Sequence, residues 1–75
     1  MIRKSILELI DLAEKYNEEG IAWHHHFFTP KCFFNKSRKF SIVLENEATG
    51  EVFMSEFEEK PVNELKRLES LFFKR

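Results

Sequence analysis

Cysteine, proline and glycine are scarce in this chain: 75 residues contain one Cys, two Pro and two Gly. A single cysteine excludes an intramolecular disulfide. Two isolated glycines, Gly20 and Gly50, exclude a glycine-rich loop of the kind that cradles phosphates. No apolar run approaches the roughly 18 residues needed to span a bilayer. Neither charge sign dominates, since 12 Lys and Arg against 13 Asp and Glu leave a formal charge of −1, which argues against a general polyanion binder. Met1-Ile2-Arg3-Lys4-Ser5 runs straight into a charged helical pattern rather than an apolar leader, so the expected location is the cytoplasm. Without secretion, Asn35-Lys36-Ser37 matches a glycosylation sequon only by composition. Repeats, linkers and low-complexity segments are also missing, and residues 1–75 read as a single small domain. A core this small supplies a margin of roughly 3–5 kcal/mol. The usual supplements are a disulfide, a structural metal or a partner subunit, and the first of these is excluded.

At the start, Ile2, Ile6, Leu9, Ile10, Ala13 and Tyr16 recur at offsets of three and four, with Leu7 and Leu12 widening the stripe. This predicts an amphipathic helix, with Lys4 and Glu8, and Asp11 and Lys15, as opposite charges four apart. Gly20 supplies its stop. Near the other end, Pro61 suits a first helical turn, and Val62, Leu65, Leu68, Leu71 and Phe72 form a second apolar stripe opposite Lys66, Arg67 and Glu69. Lys74 and Arg75 complement the negative pole of that helix.

Between the helices the period changes to two. Residues 39–45 and 51–57 read as strands joined by Asn46-Glu47-Ala48-Thr49-Gly50, where Gly50 can take the positive φ that such a hairpin needs. A loop from Glu47 to Gly50 pairs Leu44 with Phe53, Ile42 with Ser55 and Phe40 with Phe57. That register puts Phe40, Ile42, Leu44, Phe53 and Phe57 on a core face and Ser41, Val43, Glu45, Val52, Met54 and Glu56 on the other. An earlier strand is expected from about Ile21 to Phe28, broken at Thr29-Pro30, with Cys32 to Phe34 resuming it after a bulge on a sheet edge. Its alternation sends Trp23, His25 and Phe27 to the core and His24, His26 and Phe28 outward. The expected fold is therefore α+β, in the order α-β-β-β-α, with a three-stranded antiparallel sheet and two helices packed on one face.

This order of elements resembles the double-stranded RNA-binding domain, a family of similar length. That family carries a Gly-Pro-x-His loop between its first two strands and a lysine cluster at the opening of its last helix. The corresponding positions here read Phe34-Asn35-Lys36-Ser37-Arg38-Lys39, basic but without the motif, and Glu58-Glu59-Lys60-Pro61-Val62-Asn63-Glu64, which is largely acidic. The resemblance implies the α-β-β-β-α topology, while acid where phosphates would dock opposes duplex RNA binding.

Residues 23–34 hold every histidine, the single cysteine, the single tryptophan and four of the nine phenylalanines. Histidines at i and i+2 of a strand share a face about 7 Å apart, within reach of one metal ion. No cofactor is predicted outright. Zinc or another transition metal is the candidate, with His24, His26 and Cys32 as ligands. Lys31 beside Cys32 favours a thiolate, but no oxyanion-hole glycines or orienting group accompany it, and no catalytic residue is assigned. Lys31, Lys36, Arg38 and Lys39 near Phe33 and Phe34 form a candidate surface for single-stranded nucleic acid. The favoured reading is a protein-interaction module, pairing with itself as a homodimer or with another protein. Adjacent phenylalanines place one ring of each pair outside the core, so Phe28, Phe33 and Phe73 join Val43, Val52 and Met54 as the expected interface.

Overall fold

A computed structural model describes residues 1–30 and 39–74. Expectations placed on Lys31, Cys32, Phe33, Phe34, Lys36, Arg38 and Arg75 fall outside the described residues.

The first helix, α1 (Ile6–Glu19), begins at a capping box. The Ser5 hydroxyl accepts from the Glu8 amide at 3.2 Å, and the Glu8 carboxylate accepts from the Ser5 amide at 3.4 Å. Gly20 ends the helix in the left-handed conformation, φ 69°. Leu9, Ile10, Ala13 and Tyr16 bury the stripe read from the sequence, whereas Leu7 is 61% exposed. Ile2 does not belong to this helix. It forms with Arg3 a short strand, β1 (Ile2–Arg3). The physical reason is the cap: once the Ser5 and Glu8 groups satisfy the first-turn amides, the residues before Ser5 are free to extend.

β2 (Trp23–Phe28) ends where Thr29-Pro30 was expected to break it. β3 (Phe40–Asn46) and β4 (Val52–Phe57) form the hairpin, and Leu44 pairs with Phe53, Ile42 with Ser55 and Phe40 with Phe57, the register read from the sequence. Its turn is held by Asn46, whose side-chain oxygen accepts from the amides of Ala48 at 2.9 Å and Thr49 at 3.3 Å, and by Gly50 at φ 76°. β2 pairs antiparallel with β3, and β1 pairs parallel with β4, Ile2 opposite Phe53 and Arg3 opposite Met54. The sheet order is thus β1-β4-β3-β2. The α+β class holds, but the three-stranded antiparallel sheet is corrected to a four-stranded mixed one, because the extended residues before the α1 cap add a parallel edge strand.

The last helix, α2 (Val62–Phe73), follows Pro61 and buries Leu65 and Leu68. Both helices pack on one face of the sheet, where Leu9, Ile10, Ala13, Tyr16, Leu65 and Leu68 meet Trp23, Ile42, Leu44 and Phe53. One polar side chain ties this core together. Asn17 accepts from the Trp23 indole Nε1 at 2.8 Å and donates through Nδ2 to the Leu71 carbonyl at 2.8 Å, so α1, β2 and α2 meet at a single amide. Across the helix surface, Arg67 reaches Glu14 at 3.0 Å.

Candidate functional site

Directly paired residues of adjacent strands share a face, so the register fixes what the side of the sheet away from the helices carries. His24 lies opposite Glu45, His26 opposite Val43 and Phe28 opposite Ser41. Continuing across, Glu45 lies opposite Val52, Val43 opposite Met54, Ser41 opposite Glu56, and Met54 opposite Arg3. These are the residues assigned to the outer face from alternation, together with Arg3. Val52, Val43 and Phe28 fall on a diagonal of this grid, one strand and one row apart at each step, and Met54 adjoins Val43. Phe28 is 54% exposed at the end of the diagonal, while Val43 at its centre is 9% exposed among its neighbours.

The diagonal separates two polar corners. At one, the Arg3 guanidinium meets the Glu56 carboxylate at 2.8 Å. At the other, His24 sits between two acids, with Nε2 at 3.2 Å from Glu45 and Nδ1 at 2.8 Å from Glu47. An imidazole satisfies both contacts when each ring nitrogen carries hydrogen. His26 packs edge-on to His24 with ring centroids 4.9 Å apart, and the Phe28 ring lies 6.2 Å from it. His25 faces inward, as alternation requires, edge-on to Phe72 at 5.3 Å and tilted to Trp23 at 6.0 Å.

His24 and His26 do share a face, as the metal-site reading requires. Among the described residues, however, no group of three or more His, Cys, Asp and Glu side chains is arranged to hold a metal ion. The geometry explains this. Glu45 and Glu47 address different nitrogens of the same ring, which point in diverging directions, so the carboxylates do not converge on one point. The proposed third ligand, Cys32, lies outside the described residues, as does Phe33 of the expected interface. Of the basic set, Lys39 is described and exposed just before β3. Phe73 is 84% exposed at the end of α2, in the helical layer and away from Phe28, Val43, Val52 and Met54. No helix of the described residues is long and apolar enough to cross a membrane.

Sequence reasoning did not find the Glu45–His24–Glu47 cluster or the Arg3–Glu56 pair. Both depend on pairings that join separate segments, β2 with β3 and β1 with β4. Comparison of the chain with protein-family models, with curated proteins and with solved structures gives no match.

Proposed function

We propose that this chain is a self-associating interaction module, in which two copies stack through the face of the sheet that neither helix covers. The observation that carries this reading is the apolar diagonal of Val52, Val43 and Phe28, with Met54 beside it, on a face that neither helix covers. Charge arrangement favours a second copy as the occupant. A two-fold axis lying in the interface along that diagonal brings Val52, Val43 and Phe28 each near its own counterpart and exchanges the two corners. The His24 corner of one copy then faces the Arg3–Glu56 corner of the other, with His24 towards Glu56 and Arg3 towards Glu47. Such crossing of the strands belongs to the orthogonal class of sheet packing.

The face is small. Three strands about 4.8 Å apart and about 20 Å long, with the two-residue β1 beside them, present roughly 300 Å² in projection, which places the association at the weak end of specific interfaces. A dimer dissociating in the micromolar range or above is expected, and its mass action would supplement the modest core. Sedimentation equilibrium from about 10 μM to 1 mM spans that range. The wild type should shift towards dimer, and Met54→Glu should stay monomeric with an unchanged far-UV circular dichroism spectrum, because Met54 lies outside the core. A wild type that remains monomeric throughout, or a Met54→Glu variant that dimerises as well as wild type, sinks the proposal.

A further inference from the structure

On the helical side of the sheet, a cleft of about 300 Å³ opens between the edge strand β2 and the first two turns of α2. Its walls are His25 and Phe27 from the strand and Val62, Leu65, Lys66 and Glu69 from the helix, with Lys60 at the mouth. The helical contributors lie at intervals of three and four, so one stripe of α2 lines the cleft along its length. β2 and α2 run in opposite directions here. Phe27 therefore lies near Lys60, whose ammonium is 5.9 Å from the ring centroid, while His25 lies deeper, against Phe72. Phe27 is itself braced by Phe40, stacked at 5.7 Å with 7° between the planes. The lining thus has an aromatic and aliphatic floor, Phe27, Val62 and Leu65, and two cationic side chains against one acidic.

We propose that this cleft binds a small carboxylate with a flat apolar body, the carboxylate held by Lys60 and Lys66 and the body laid over Phe27 and Leu65. The volume is at the lower end of ligand pockets, about 300–1,000 Å³, and the mixture of apolar walls with a few convergent polar groups is what such pockets share. Net charge selects a monoanion. Two lysines offset by Glu69 leave a single net positive charge to be compensated, and no glycine-rich nest is present among the lining residues for a phosphate dianion. The positive end of the α2 dipole lies beside Lys60 and adds to the same preference. This site is on the opposite side of the sheet from the self-association face and does not depend on it.

The experiment is a titration of ¹⁵N-labelled protein with naphthalene-2-carboxylate and, separately, with its uncharged analogue 2-naphthalenemethanol, read by amide chemical shifts. Saturable shifts are expected at Phe27, Lys60, Leu65 and Lys66, with the carboxylate binding about tenfold more tightly than the alcohol. The double variant Lys60→Gln, Lys66→Gln, which alters only exposed side chains, should remove that tenfold advantage while leaving alcohol binding in place. Val62→Trp, at a position already 46% exposed, should fill the cleft and abolish binding of both. Equal affinity for the two probes, carboxylate binding that survives Val62→Trp, shifts confined to the outer sheet face, or no shift at about 10 mM probe would each overturn the proposal.

Discussion

Replacing Asn17 by alanine should unsettle the fold more than its half-buried position suggests. The amide serves two groups. Its oxygen is the acceptor at 2.8 Å for the indole N–H of a fully buried Trp23, and its nitrogen donates at 2.8 Å to the Leu71 carbonyl. Losing the acceptor takes this bond from a buried donor, at about 1–3 kcal/mol. Losing the donor costs less, because the Leu71 carbonyl also accepts from the Lys74 amide at 3.3 Å. A total of about 2–3 kcal/mol follows, which is half or more of the roughly 3–5 kcal/mol a core of this size provides. Urea denaturation followed by tryptophan fluorescence measures it for Asn17→Ala, and circular dichroism extends the measurement to Trp23→Phe and the double variant. If the lost indole bond is the main cost, Asn17→Ala should cost at least 1 kcal/mol less in the Trp23→Phe background, well beyond the ~0.5 kcal/mol within which independent sites add. Additive single effects would refute the account and leave Asn17 as a packing residue.

Two further perturbations test how the helix ends are specified. The Ser5 amide and hydroxyl, with Lys4 nearby, hold the Glu8 carboxyl below the usual carboxylate range. A carboxyl whose folded value is depressed contributes stability above its unfolded value and loses it as pH falls through the folded one. Thermal melts across the acid range should therefore show a shallower acid limb for Glu8→Gln than for wild type, and identical limbs would count against the capping box. At the other end of α1, nothing lies within 4 Å of where a Gly20 side chain would be built, so Gly20→Ala tests backbone strain alone at φ 69°. It should destabilise by about 1–2 kcal/mol, with Gly20→Asn recovering part of the loss, and an alanine variant as stable as wild type would contradict this.

What could be read in advance followed from local periodicity. The β3–β4 register came through because a short loop with Gly50 and two alternating strands admit few alignments, and it then sorted Phe53 from Met54 and Leu44 from Val43 correctly. β1 was illegible because two residues carry no period, and Ile2 sits four before Ile6, where helical spacing absorbs it. The Ser5-x-x-Glu8 pattern was the available signal for the true helix start. The His24 cluster was hidden for a different reason. Its acids are placed by the β2–β3 pairing, and the long connection through Pro30 leaves that register open, unlike a tight turn. Phe73 was placed in the interface by an argument about adjacent residues that holds for strands, whereas neighbours on a helix lie about 100° apart.

The parallel pairing of β1 with β4 imposes an order in time. The capped helix α1 and the β3–β4 hairpin close over short stretches of chain, and such elements form within about 0.1–10 μs. Ile2 has to find Phe53 across most of the sequence, for a reward of two paired residues and the Lys4 amide bonded to Met54 at 2.8 Å. Loop closure of that length is compensated only after its partner strand is in place. β1 is accordingly the last element to dock and the first to peel away. While it is absent, β4 is a bare edge that another chain's strand could occupy, so the first residues of the sequence act as the guard of that edge.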